Sequence, residues 1–115
     1  MSGLIVYGIK SCDTCRKALK WLDEQGRDYQ WRDLRVDGVE SERVQRWLEE
    51  AGAEVLVNRR STTWRSLGEA DREAAGNPQR AQALLQAYPT LIKRPVFEID
   101  GRVLVGFNAT VRQSL

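Results

Sequence analysis

Two cysteines stand three positions apart in the run Cys12-Asp13-Thr14-Cys15, and the chain contains no histidine. Two thiols at this spacing suit sulfur chemistry, in which a thiolate attacks a disulfide, holds a mixed disulfide and is released by a second thiol. Other uses of the pair fit less well. A permanent staple over so short an offset closes almost no loop and is disfavoured in a reducing compartment. A closed metal site takes about four ligands, and two thiols without imidazole fall short. A phosphatase-like loop places an arginine six residues after its nucleophile, but Ala18 and Trp21 occupy those positions. Plain core packing remains a reading of Cys15, which shares a helical stripe with Ala18, Leu19 and Leu22.

Position distinguishes Cys12. The apolar run Leu4 to Tyr7 reads as a strand buried on both faces and ends at Gly8; the loop Ile9 to Ser11 follows, and a helix then runs to a stop at Gly26. Cys12 therefore falls at a helix start, where unpaired N–H groups and the positive end of the helix dipole favour thiolate over thiol. Lys10, Arg16 and Lys17 push the same way, and Asp13 opposes them. Lowering a thiol from about 8.5 to about 7 raises the thiolate fraction at neutral pH roughly fifteen-fold, while reduced basicity costs about five-fold in nucleophilicity. Only about three-fold remains, so positioning and leaving-group quality matter more.

A second constellation is Ile92-Lys93-Arg94-Pro95-Val96. Proline at the first residue of a strand is either an edge feature or a cis X–Pro bend. In the second case Arg94 projects toward the Cys12 loop, and the backbone there is suited to pairing with an extended thiol ligand. Asn58 and Arg59-Arg60 offer either a planar anion clamp or an ordinary solvated basic turn.

The elements that must position these residues follow from periodicity. Tyr29 and Trp31 alternate with polar residues in a second strand, parallel to the first through a right-handed crossover, and Val36-Asp37-Gly38 makes a turn. Val44, Trp47, Leu48 and Ala51 form a helical stripe from an expected N-cap at Ser41 to Gly52. Short helical turns are expected between 58 and 76, and Asn77-Pro78 opens a further helix carrying Ala81, Leu84, Leu85 and Tyr88 up to Pro89. Val96 to Ile99 and Arg102 to Val105 flank Asp100-Gly101 as a hairpin, and Asn108 caps a terminal helix. The expected fold is α/β: a β-α-β unit, a helical insert over about 40–88 and a β-β-α unit on one four-stranded mixed sheet, all within a single domain spanning 1–115.

A chain of 115 residues, 42% hydrophobic and 30% charged, can build one core. Its longest apolar run is about four residues against roughly 20 for a membrane span, and no export signal stands at the N-terminus, so the expected compartment is the cytoplasm and no membrane partner is expected. A net charge of +2 with dispersed cations argues against direct nucleic-acid binding.

Three segments together, Tyr7-Gly8-Ile9-Lys10-Ser11-Cys12-Asp13-Thr14, Asn58 to Arg65 and Ile92 to Val96, resemble the ArsC/Spx family of thioredoxin-fold proteins, most of all its YffB branch. The resemblance covers essentially the whole chain. It implies a nucleophile at Cys12 and a cis-proline arginine at Arg94. Arsenate-reducing members hold their oxyanion with two further arginines, and here those positions are Asn58 and Gly106. This weighs against arsenate, with Arg60 taking over part of the role. Cys15 resembles the second cysteine of Spx-type redox switches.

The leading expectation is a thiol–disulfide oxidoreductase with glutathione as co-substrate and no permanently bound cofactor or metal. Cys12 is the nucleophile and Cys15 the resolving thiol; Arg94, Arg60, Asn58 and Lys10 contact the ligand, and Pro95 shapes the groove. The alternatives are glutaredoxin-coupled arsenate reduction and an Spx-like redox-switched regulator that binds the RNA polymerase α-subunit, with Gly52 near the contact surface.

Overall fold

The computed structural model describes residues 3–115. Two compact units make up the chain: one runs to Asp37 and resumes over Arg94–Leu115, and the other is Gly38–Lys93.

The first unit carries the sheet. Its strands are β1 (Ile5–Gly8), β2 (Gln30–Asp33), β3 (Val96–Ile99) and β4 (Arg102–Val105), in the order β2-β1-β3-β4. β1 pairs parallel with β2 and antiparallel with β3, and β3 pairs antiparallel with β4. This is the expected mixed, thioredoxin-like sheet, with the apolar β1 in its interior. The hairpin turn falls at Asp100-Gly101, both with positive φ (49° and 79°), the conformation this dipeptide accepts at least cost. The second strand differs slightly from its sequence reading: Tyr29 lies outside it and the strand continues to Asp33, because the parallel register sets Gln30 opposite Ile5 and Asp33 opposite Gly8.

Two helices belong to this unit, α1 (Asp13–Glu24) and, as the last of the chain, a helix over Ala109–Ser114. Leu4, just before β1, Val6 of β1, Phe97 and Ile99 of β3, Ala18 and Leu22 of α1 and Val111 form its core cluster. The last helix starts where Asn108 accepts a hydrogen bond from the Val111 N–H at 2.9 Å, as its position in the sequence implied. α1 ends with Gln25 as C-cap and Gly26 just beyond it at φ 67°, which supplies the expected stop.

The second unit is helical: α2 (Ser41–Ala51), α3 (Ala53–Leu56), α4 (Thr62–Ser66), α5 (Glu69–Ala74), α6 (Pro78–Ala87) and a 3-10 turn over Pro89–Leu91; the helix over Ala109–Ser114 is therefore α7. Val44, Trp47, Ala81 and Leu85 are buried to their last atoms, as the two apolar stripes require. Asn77 caps α6 by accepting from the N–H groups of Gln79 and Arg80, with Pro78 in the first turn. One cap differs from expectation. Ser41 is the first helical residue of α2 and Glu40 is its N-cap, without a side-chain cap bond. Among the described residues, no helix is long and apolar enough to cross a membrane.

Candidate active site

Cys12 is the N-cap of α1, with extended backbone (φ −80°, ψ 122°). Its N–H donates to the Ile9 carbonyl at 2.9 Å and its carbonyl accepts from Arg16 N–H at 3.0 Å, so the residue is fixed where loop becomes helix. The side chain is half-buried, whereas Cys15, one turn into the helix, is fully buried; both are free thiols.

Burial works against charge on the Cys12 sulfur, yet its pKa is lowered below the ordinary 9.0. Hydrogen bonds from the Cys15 backbone N–H, the Cys15 thiol and the Arg94 guanidinium, together with the Arg94 charge, outweigh the desolvation. The same proximity acts oppositely on Cys15, whose thiol is pushed up to about 12 by burial and by the Cys12 charge, against a hydrogen bond from the Ile9 backbone. The pair is thus differentiated: the Cys12 thiol ionises more readily than an ordinary thiol and the Cys15 thiol less readily. Among cations, Arg94 is the one acting on Cys12 by both hydrogen bond and charge, while Arg16, expected to assist, is engaged in an i,i+3 ion pair with Asp13.

Arg94 precedes Pro95 through a cis peptide bond, the alternative the sequence left open. The Pro95 carbonyl accepts from Gly106 N–H at 2.8 Å, which ties the bend to the end of β4.

The loop between β1 and Cys12 is held by a residue that sequence reasoning passed over. Asp33, at the end of β2 and buried, accepts from Lys10 N–H at 3.1 Å on one carboxylate oxygen, and from Arg35 and Val36 N–H at 2.8 and 3.1 Å on the other. These donors, with the Arg35 charge, keep its carboxyl below the ordinary 3.8 despite burial. An acidic residue ending a strand just before a turn is the signal that marks it. Beside it, Ile9, Lys10, Ser11, Asp33, Arg35 and Val36 line a recess of about 360 Å³. Lys10 is exposed there on the loop.

The structure brings together Cys12, Cys15 and Arg94, with Pro95 adjacent to Arg94 and Lys10 two residues before Cys12. Asn58 and Arg60 belong to the helical unit. There Asn58, Arg59, Arg60 and Lys93 line a recess of about 410 Å³ with Glu54, a cationic surround for its size. Asn58 organises it: its N–H donates to the Leu91 carbonyl at 2.8 Å and its side chain accepts from Arg60 N–H at 3.1 Å. Arg59 lies over the Trp64 ring at 5.4 Å. Among the described residues, no group of three or more potential metal-binding side chains occurs.

Known proteins resemble this chain over most of its length. A protein of Haemophilus influenzae with no assigned function is 45% identical over 105 residues, covering 91% of each chain. The global transcriptional regulator Spx of Lactiplantibacillus plantarum is 28% identical over 107 residues, covering 91% of this chain and 80% of that one. A solved YffB protein superposes with a TM-score of 0.90 at 41% identity, covering 96% of both chains. Residues 7–114 match the ArsC family model, and the chain belongs to the ArsC family.

Proposed function

We propose that this protein is a thiol–disulfide oxidoreductase that uses glutathione as co-substrate, with Cys12 as nucleophile. The observation that carries the reading is the half-exposed Cys12 sulfur at a helix N-cap, with three hydrogen-bond donors and the Arg94 charge favouring its thiolate. The Cys12 thiolate attacks the glutathionyl sulfur of a mixed disulfide, forming a Cys12–glutathione disulfide and expelling the substrate as thiolate. A second glutathione thiolate then attacks the glutathionyl sulfur, releasing oxidised glutathione and regenerating the Cys12 thiolate. Cys15 is the alternative resolving thiol. Its elevated pKa makes it slow in that role and favours resolution by external glutathione.

Arg94 stabilises the attacking and leaving Cys12 sulfur, Pro95 shapes the ligand groove, and Lys10 contacts a ligand carboxylate. Asn58 and Arg60 enter the same proposal as ligand-contacting residues through their cationic recess. The test is glutathione-dependent turnover of a mixed-disulfide substrate. Cys12→Ser should abolish it while Cys15→Ala retains it; full activity in Cys12→Ser refutes the assignment.

A second reading has its own support in the similarity to Spx regulators. In that case Cys12 and Cys15 form a disulfide under a peroxide or disulfide oxidant, giving up two electrons and two protons, and the protein binds the RNA polymerase α-subunit. A redox-dependent pull-down against that subunit separates the two. Glutaredoxin-coupled arsenate reduction is the weaker enzyme alternative, because neutral Asn58 and Gly106 stand where oxyanion arginines are needed.

A further inference from the structure

The last residue of β1, Gly8, has no side chain for a local reason. A Cβ built on it would lie 2.5 Å from the Cys15 sulfur and 2.9 Å from the Trp31 ring, both closer than a real Cβ contact. Its partners fix it in place. Gly8 pairs with Asp33 across the parallel ladder, and its carbonyl accepts from Leu34 N–H at 2.8 Å, so the backbone here is tied to β2. Trp31 stands on the neighbouring strand opposite Val6, and its ring edge reaches the space above Gly8. A slot results over the bare Gly8 Cα, bordered by the Trp31 ring edge. The Cys15 sulfur fills it.

We infer that Gly8 is a positioning residue of the reactive site: its missing side chain leaves the slot in which the Cys15 sulfur is seated and from which the Cys15 thiol donates to the Cys12 sulfur. A methyl group at this position cannot coexist with the sulfur where it now lies. To relieve the 2.5 Å conflict the sulfur must move, and a change of the Cys15 rotamer carries its thiol away from Cys12. Glycine here is therefore set by the Cys15 sulfur together with the Trp31 ring edge and not by backbone conformation, since its φ is not among the positive values of this chain.

This rests on Cys12 as the reactive thiol, and its readout is ionisation, which is measured without a substrate. The groups that act on the Cys12 sulfur are Cys15 and Arg94. The rate of Cys12 alkylation by iodoacetamide is followed against pH in wild type, Gly8→Ala, Cys15→Ala and the double variant. The expected result is a titration midpoint raised by about one unit in Gly8→Ala, which slows alkylation about tenfold below that midpoint. The same rise is expected in Cys15→Ala, with no further change in the double variant.

An unshifted midpoint in folded Gly8→Ala, or an equal added shift when Cys15 is already alanine, overturns the inference. Should Gly8→Ala fail to fold, the double variant, which removes the 2.5 Å conflict, is expected to fold. Failure of both assigns the need for glycine to the Trp31 ring, whose 2.9 Å conflict the double variant keeps, and overturns the inference. Absence of glutathione-dependent reductase turnover in the wild type, with these midpoints as expected, would instead count against the proposed function alone.

Discussion

Cys15 lies one turn beyond Cys12 on α1: Cys12 is the half-buried N-cap and Cys15 is fully buried, and the nearness of Cys15 helps lower the pKa of the Cys12 thiol. The two cysteines therefore differ in kind although they are three residues apart. Folding places one at the helix N-cap, where a charge is accommodated, and the other on the apolar stripe, where a charge is excluded.

This difference should appear directly in labelling. At pH 7 iodoacetamide is expected to modify Cys12 in the folded protein and to leave Cys15 intact, as peptide mapping will show. The pH profile should give a midpoint below the ordinary thiol value of 9.0 for Cys12, with reactivity rising as pH passes upward through it. Equal labelling of both thiols would mean that Cys15 is not sequestered.

Arg94 contributes both a hydrogen bond and a charge to the Cys12 sulfur. Arg94→Ala should move the midpoint upward, so that at neutral pH the thiolate-dependent rate falls about three- to tenfold, allowing for screening at a half-exposed sulfur. Arg94→Lys keeps the charge and loses the planar donor set, and should fall between. An unchanged midpoint in Arg94→Ala, read from the same alkylation profile, would remove Arg94 from the site.

Asp33 is expected to hold the loop leading to Cys12 through its bond to Lys10 N–H. Asp33→Asn removes the charge and leaves one backbone donor facing an amide N–H, a cost of about 1–3 kcal/mol in urea unfolding at pH 7. Because the folded pKa is depressed, the stabilisation is complete above the ordinary value of 3.8 and is lost as pH falls from there through the folded value. Wild type should therefore lose its advantage over Asp33→Asn in acid. A difference independent of pH would assign the effect to shape and not to charge.

The organisation of the sheet was legible in the sequence because its signals are local: the apolar run before Gly8, the Asp100-Gly101 turn and the Asn77 and Asn108 caps each constrain a few neighbouring residues. Cys12 was legible for the same reason, as a thiol at a strand-to-helix junction. The role of Gly8 was not, because a glycine after an apolar strand reads equally as a terminator, and the sulfur that excludes a side chain lies seven residues away. Asp33 escaped notice because its three donors come from two separate segments, Lys10 and Arg35-Val36, which only the pairing of β1 with β2 brings together. Of the cations, Lys10, Arg16 and Lys17 were expected to assist Cys12, and Arg94 to project toward its loop through a cis X–Pro bend; Asp13 pairs with Arg16, and the charge that acts on Cys12 comes from Arg94.

The most direct measurement is mass spectrometry of the intact protein and its peptides after treatment with oxidised glutathione at neutral pH, in wild type, Cys12→Ser and Cys15→Ala. A single glutathione adduct on Cys12 is expected in wild type and in Cys15→Ala, with none in Cys12→Ser. An adduct that persists in Cys12→Ser, or a wild-type Cys12 that remains a free thiol throughout, would contradict Cys12 as the reactive sulfur.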